Sequence, residues 1–246
     1  MTDAQVPVRA TVAISPASDG PVRTLVVALL VALVCSVTVS VTAVLLKPRQ
    51  DANRLLARAA SVTGMAAVLG SGVVQSRFVD LTSGAYVERD PGSSLLLPAD
   101  RDGAGLGRRE DVVAVFELRD EGRLRLLIVP VRGSGYQSTL KGYLALKADL
   151  NTVAALSFYE QGETPGLGAR VEEDAWRALW TGKQIADADG VIRLAVVKGT
   201  GDGAHEVDGI TGATRTGRGV NRLLQFWLDP DGYGPLLARL RAEGER

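Results

Sequence analysis

The feature that most constrains this chain is an uncharged apolar run near its N-terminus, at residues 25–46. A helix of this length, at ~1.5 Å per residue, covers about 33 Å, and the hydrocarbon core of a bilayer is roughly 30 Å thick. A cleaved signal peptide is the alternative, but the run is longer than the usual apolar region of such peptides and lacks a clear small-residue cleavage site. The sequence therefore predicts a transmembrane helix over residues 22–46, in which Cys35 faces lipid or packs against a neighbour.

The segments on either side of this helix have different characters. Residues 1–21 are polar and are predicted to be disordered. Residues 47–70 are predicted to form an amphipathic stalk, whose apolar face would contain Leu55, Leu56, Ala59 and Ala60. Charge gives a weak orientation signal, because Lys and Arg are more frequent just after the helix than before it. Taken alone, that count favours a cytoplasmic position for the following domain.

Composition excludes several classes of function. Lys plus Arg equals Asp plus Glu, at 28 each, which argues against a nucleic-acid partner. A single cysteine cannot form a disulfide within the chain, and one cysteine with one histidine makes a zinc or iron–sulfur site unexpected. We predict no metal site. Any redox chemistry would therefore need an organic cofactor.

Residues 71–246 are predicted to form one α+β domain, with a mixed or antiparallel sheet and flanking helices. Apolar residues recur at helical spacing near the C-terminus, at Val220, Leu223, Leu224, Trp227 and Leu228. Residues 87–111 are rich in Gly, Pro and Asp and predict a long surface loop. The remaining predicted elements are a hairpin over 112–131 that turns at 120–122, strands over 142–147, 153–160 and 190–199, and a helix over 172–183.

A glycine-rich turn precedes the last predicted helix. Gly209 and Gly212 would let the backbone turn sharply and approach a ligand closely. A helix N-terminus favours an anion, to which Thr214 or Thr216 would offer a hydroxyl. Thr is equally an ordinary N-cap residue, and a cap needs no ligand. The residues alone leave these two interpretations open.

Residues 208–214, DGITGAT, resemble the Asp-x-x-Ser/Thr-Gly-Ala-Ser/Thr motif of proteins that carry FMN covalently. The similarity extends to LLKPRQ at 45–50, GYLALKADLNTV at 142–153, residues 158–185 and HEVDGITGAT at 205–214. On these segments the chain resembles the NqrC family of the sodium-translocating NADH:quinone oxidoreductase (Nqr), over roughly residues 22–230. The RnfG family of Rnf-type electron-transport complexes shares the flavin-binding domain and is the alternative within this resemblance.

The resemblance implies which residues would bind the cofactor. FMN would be attached through a phosphoester to Thr214, within a motif that also contains Asp208, Thr211, Gly212 and Ala213, with Thr216 beside it. A second element, GETPGLG at 162–168, would contribute Glu163, Thr164, Gly166 and Leu167, although its residues alone equally fit an ordinary loop. A third element would contribute Tyr136, Ser138 and Thr139, but this chain has Gln137 where the family usually has Trp.

The resemblance also implies a function. The chain would carry electrons between sister subunits of a bacterial inner-membrane complex that oxidises NADH, reduces ubiquinone and transports sodium. It would contain no catalytic residue and have no independent activity. A flavin transferase that uses FAD works on the outer face, which implies a periplasmic domain, against the charge count. The other hypotheses are a non-redox, membrane-anchored binding or assembly module and a stand-alone flavin reductase.

Three further residues are expected to be structural rather than functional. His205 precedes the motif, and a lone histidine is more often a hydrogen-bonding residue than a catalyst. Trp176 and Trp180 lie four residues apart, which is typical of core packing on one helix face.

Overall fold

A computed structural model of the chain describes residues 20–67, 73–88 and 92–244. The chain divides into two units, Met1–Ala52 and Asn53–Arg246. The predicted disordered segment lies, except for its last two residues, outside the described residues, and so does the end of the predicted stalk. Both of those assignments stay predictions.

The first helix, α1, runs without a break from Pro21 to Ala67. The side chains of its apolar N-terminal part are exposed, and Pro21–Met65 is a candidate membrane span by length and composition. The hydroxyls of Thr38 and Thr42 each donate to the carbonyl four residues earlier, at 2.8 Å. Such bonds satisfy a hydroxyl inside the helix itself, which suits an apolar environment.

The second unit is built on a six-stranded sheet that is antiparallel throughout. The strands of this sheet are β1 Val73–Asp80, β2 Tyr86–Val87, β5 Val112–Asp120, β6 Arg123–Ser134, β7 Thr139–Lys147 and β8 Val153–Glu160. Their order in the sheet is β2-β1-β5-β6-β7-β8. Two small sheets pair β3 Ser94–Leu96 with β4 Arg108–Glu110 and β9 Ala195–Val196 with β10 Glu206–Val207. The helices are α2 Asp174–Ala178, α3 Thr214–Leu228 and α4 Gly234–Gly244, with a 3₁₀ helix at Gly168–Glu172.

The main core lies between one face of the sheet and helices α3 and α4. Leu127, Val129 and Val131 of β6 are buried against the predicted apolar stripe of α3. Two side chains fix this packing through hydrogen bonds to β6. Trp227 Nε1 donates to the carbonyl of Arg132 at 2.7 Å, and the buried Tyr233 hydroxyl donates to the carbonyl of Pro130 at 2.7 Å. Helix α3, which follows the glycine-rich turn, is therefore anchored to the sheet.

The opposite face of the sheet is covered partly by the end of α1. Met65 is buried and Val62 half-buried against the apolar side chains of this face, such as Leu126 and Ile128. The predicted apolar face of the stalk does not make this contact, because Leu55 and Leu56 are exposed. The packing residues lie further along the helix than the sequence pattern indicates.

Several predicted elements are confirmed and others are wrong. The hairpin over 112–131 is β5–β6, and its turn has positive φ at Glu121 and Gly122, at 49° and 79°. The predicted loop over 87–111 is wrong in part, because β3 and β4 lie within it. The helix predicted over 172–183 is reduced to α2, and the strand predicted over 190–199 to β9. Strand β1 and helix α4 have no counterpart among the predicted elements.

Two glycines of α3 allow a test of how tightly this helix lies against the sheet. A Cβ at Gly219 would lie 2.7 Å from the Ser134 carbonyl oxygen and 2.9 Å from Gly135 Cα, both of which are backbone atoms. A Cβ at Gly217 would meet only Val196 side-chain atoms, the nearest at 3.3 Å.

We expect Gly219→Ala to destabilise the domain by about 1–3 kcal/mol through overpacking. Gly217→Ala should be close to neutral. Alanine favours a helix over glycine by about 1 kcal/mol, and this gain offsets the tight contact with the Val196 side chain. Thermal unfolding of both variants measures the difference, and equal melting temperatures would contradict it.

Candidate functional site

A cleft of about 640 Å³ opens between the β9–β10 segment and the start of α3. This volume is within the range of about 300–1,000 Å³ that is usual for small-molecule and cofactor sites. Six residues of the predicted motif line it, Gly209, Ile210, Thr211, Gly212, Ala213 and Thr214. The other lining residues are Val196, Val197, Lys198, Gly199, Gly217, Arg218 and Asn221.

The glycine-rich turn brings the backbone close to both sides of this cleft. Gly212 has φ +80°, and a Cβ there would lie 2.8 Å from Leu167 Cδ2. Gly209 donates its N–H to the Gly199 carbonyl at 2.8 Å, and a Cβ on Gly209 would overlap the Val197 carbonyl oxygen. Both positions therefore require glycine, the first for its backbone conformation and the second for its close approach.

Thr214 is the first residue of α3 and is exposed in the cleft. The N-cap is Ala213, and no described side chain caps the helix. The interpretation of Thr214 as an N-cap is therefore wrong, because a cap residue precedes the first helical residue and accepts from the first turn. Among the residues that the structure describes, no side chain accepts from the N–H groups at the start of α3, beside the Thr214 hydroxyl.

Asn221 joins the two walls of the cleft. Its Oδ1 accepts from the Val196 N–H at 2.6 Å, and its Nδ2 donates to the Val196 carbonyl at 2.9 Å. The side-chain amide thus pairs with β9 as a neighbouring strand would. This pair of bonds holds β9 beside the second turn of α3.

Loss of this amide should loosen the cleft. We expect Asn221→Ala to cost about 1–3 kcal/mol, because it leaves the backbone N–H and carbonyl of the buried Val196 without these partners. Asn221→Asp should cost a similar amount, because it keeps an acceptor for the N–H but places a second acceptor against the carbonyl. Hydrogen exchange of the Val196 amide measures the effect, and unchanged protection in both variants would contradict it.

Glu163 organises a second part of the site without lining the cleft. It is 5% exposed, and its carboxylate accepts from the backbone N–H groups of Tyr136, Gln137 and Ser138 at 3.0–3.2 Å. The hydroxyls of Ser138 and Thr216 also donate to it, at 3.2 and 2.7 Å. One carboxylate therefore joins the turn at 135–138 to the first turn of α3.

These contacts change the pKa of Glu163. Burial alone would raise it, but the hydrogen bonds from Thr216 and from the three backbone N–H groups outweigh burial. The net pKa is below the ordinary value of a glutamate, so the side chain is a carboxylate at neutral pH. The resemblance places Glu163 and the buried Thr216 in contact with the cofactor. In the structure the Thr216 hydroxyl donates to Glu163, whose other carboxylate oxygen accepts from the segment 136–138.

The other predicted site residues lie around the cleft rather than in it. Tyr136 is exposed, with the Arg215 guanidinium 5.0 Å from its ring centroid. Leu167 is exposed and reaches the turn at Gly212. The Asp208 carboxylate accepts from the Gly201 N–H at 2.9 Å.

The remaining predicted residues are in loops or strands nearby. Ser138 Oγ donates to Glu163 and accepts from the Gly162 N–H at 2.7 Å. The Thr164 carbonyl accepts from two N–H groups of the turn that contains Gly166, whose φ is +72°. Thr139 is exposed at the start of β7. The second and third predicted elements thus lie beside the cleft and support the start of α3, whereas the motif itself lines the cleft.

The three residues expected to be structural make hydrogen-bonding or packing contacts. His205 Nδ1 lies 2.9 Å from the Gln184 carbonyl. Trp176 and Trp180 are buried in edge-to-face contact with ring centroids 5.3 Å apart. Trp176 Nε1 also donates to the Asp208 carbonyl at 3.0 Å, which ties the core to the motif.

Comparison with known proteins agrees with this geometry. The FMN-binding domain family matches residues 135–229, which include the cleft, the Glu163 contacts and α3. The NqrC component of the Na(+)-translocating NADH-quinone reductase of Pseudomonas aeruginosa is 43% identical over 91% of this chain and 97% of its own length. The chain belongs to the NqrC family. The corresponding protein of Vibrio parahaemolyticus is 35% identical over 92% of this chain and 98% of its own length.

A solved structure of the NqrC family has the same fold. The crystal structure of Shewanella oneidensis NqrC has a TM-score of 0.70 at 30% identity, and the match covers 78% of this chain and 99% of that one. The resemblance drawn from the sequence motifs is confirmed by these relatives, and so is the predicted α+β fold.

The cleft of this NqrC-family chain fits FMN in three respects. Its volume is adequate, the hydroxyl of Thr214, which is only the predicted acceptor, is exposed in it, and the start of α3 has N–H groups without a described side-chain partner, which suit a phosphate. Sequence reasoning missed the lining residues 196–199, Arg218 and Asn221. The helical period would have placed Arg218 on the same face of α3 as Thr214, because they are four residues apart.

Proposed function

We propose that the chain is the FMN-carrying, electron-transfer subunit of a sodium-translocating NADH:quinone oxidoreductase. The observation that carries the proposal is the exposed Thr214 hydroxyl at the uncapped start of α3, in a cleft of cofactor size. The similarity to NqrC proteins over more than nine-tenths of this chain supports the same function. FMN supplies one- and two-electron chemistry when bound.

Attachment is a phosphoryl-group transfer at Thr214. The Thr214 Oγ forms a bond to the FMN phosphorus of FAD, the bond from that phosphorus to AMP breaks, and AMP leaves. The hydroxyl proton is lost, by way of the flavin transferase, to the medium. The product is a phosphodiester with one negative charge, which the start of α3 favours by about 0.3–1 kcal/mol. A covalent tether keeps the cofactor in place when the interface between redox partners opens.

The chain's own residues shape the cleft that would hold FMN. Thr211, Gly212 and Ala213 shape the turn, and Glu163 holds the segment 135–138, with Tyr136 and Ser138, against α3. Leu167 and Tyr136 provide exposed apolar surface beside the cleft. Thr164, Gly166 and Thr139 lie in the supporting loops.

The proposal includes a location for each segment. Residues 22–46 span the bacterial inner membrane, residues 47–70 form a stalk, and residues 71–246 carry FMN on the periplasmic face, where the transferase works. Large domains are translocated across membranes largely independently of nearby charge. The weak charge count therefore does not oppose a periplasmic position for residues 71–246. The partners are the sister subunits, which bind NADH and ubiquinone.

The proposal is tested by producing the full chain with a flavin transferase and returning it to a complex that lacks its own NqrC. We expect a yellow chain that cannot oxidise NADH alone and that restores NADH-driven quinone reduction in the complex. A colourless chain, with an active transferase proved on a control substrate, would favour the binding or assembly module. NADH oxidation by the isolated chain would favour the flavin reductase.

A further inference from the structure

Two cations line the cleft that contains Thr214 and have no assigned role. Lys198 follows β9 on one wall, and Arg218 lies one helical turn after Thr214 on the other. Both side chains are exposed. Within the part of the chain that the structure describes, neither forms a hydrogen bond or an ion pair with another residue. Their charges are therefore available to a ligand.

The start of α3 is an unfavourable place for cations unless an anion is present. The first turn contains no acidic residue, and a helix N-terminus carries a partial positive charge that repels Lys and Arg. Arg215 is accounted for by its contact with the Tyr136 ring. Arg218 has no such contact among the described residues. Its charge and that of Lys198 both add to the positive potential at the start of α3.

We infer that Lys198 and Arg218 are the counter-charges of the phosphate that Thr214 receives, and that they select a phosphorylated flavin over one that lacks phosphate. This inference rests on the proposed function. The planar guanidinium of Arg218 can donate two parallel hydrogen bonds to phosphate oxygens, and the Lys198 ammonium acts as a point charge. Both charges attract the substrate of attachment, whose phosphates are more strongly charged than the final diester.

The first experiment measures attachment of FMN from FAD to the full chain by timed intact-mass analysis. We expect Lys198→Ala and Arg218→Ala each to slow attachment by about three- to tenfold, since exposed charges are screened by solvent. The double variant should be slowed further. Lys198→Arg should restore most of the rate because it keeps the charge.

Arg222→Ala is the matched control. Arg222 is an exposed arginine one turn further along α3, and it lines a separate cleft with Asp100 and Gln225. Its removal changes net charge equally and should leave the rate within about twofold. An unchanged rate in the double variant overturns the inference, and so does an equal loss in Arg222→Ala, which would indicate general charge attraction to the transferase.

The second experiment removes the transferase and the covalent bond. In Thr214→Ala, binding of FMN and riboflavin is compared by quenching of flavin fluorescence. We expect a preference for FMN that falls at least several-fold when Lys198→Ala and Arg218→Ala are added, and that persists in Arg222→Ala. Equal binding of FMN and riboflavin in Thr214→Ala overturns the inference. Failure of the proposed function is distinguishable, because the unsubstituted chain would then gain no FMN from an active transferase.

Discussion

Thr214→Ala is expected to leave the chain without covalently bound flavin. The hydroxyl of Thr214 is the acceptor in the proposed attachment, and alanine has no oxygen to bond to phosphorus. The fold should persist, because Thr214 is exposed and alanine is a better helix former. Intact mass of the denatured protein, after co-production with a flavin transferase, measures the result. The unsubstituted chain should gain one FMN less one water, and Thr214→Ala should gain nothing.

Thr214→Ser is the matched control for this prediction. Serine keeps an acceptor oxygen at the same place on α3, so we expect it to gain the same mass. If Thr214→Ala still gains FMN less water, the acceptor is another hydroxyl of the cleft. Thr211, which also lines the cleft, would then be the first to test. Loss of mass gain in both variants, with intact folding, would indicate that the transferase requires threonine itself.

The local part of the site could be predicted from the sequence. The turn 208–214 and helix α3 depend on residues that are adjacent or separated by helical spacing, and such patterns are visible in a single chain. The hairpin β5–β6 is predictable for the same reason, because its turn residues lie between two apolar runs. Thr214 could therefore be placed at the start of a helix, though not distinguished from a cap.

The contacts that close the site could not be predicted in this way. Asn221 pairs with Val196, and Glu163 pairs with Thr216, across 25 and 53 residues of chain. No local pattern identifies such partners. The short strands β9 and β10 pair in parallel over two residues each, and they depend on Asn221 and on neighbouring turns more than on β propensity. The burial of Glu163 could not be read from the loop GETPGLG, and the flavin contact expected there came from the family resemblance.

Glu163→Ala is expected to have the largest effect on stability. The buried carboxylate accepts from three backbone N–H groups and two hydroxyls, and its removal leaves these donors unsatisfied. We expect a loss of about 3 kcal/mol, which lowers the melting temperature of a domain of this size by about 6–12 °C. Glu163→Gln should also destabilise, because its amide nitrogen is a donor placed among donors. Thermal unfolding of the full chain in detergent measures both variants.

The effect of Glu163 should depend on pH in a known direction. Its pKa is lower in the folded chain than in the unfolded chain, so the carboxylate stabilises the fold above the unfolded pKa, which is near about 4.3. That contribution disappears as pH falls through the lower, folded pKa, where the carboxyl group is protonated in both states. The stability difference between the unsubstituted chain and Glu163→Gln should therefore be large at pH 7 and shrink in acid. A difference that stays constant from pH 7 into the acid range would mean that the segment 135–138 is held by packing and not by the charge of Glu163.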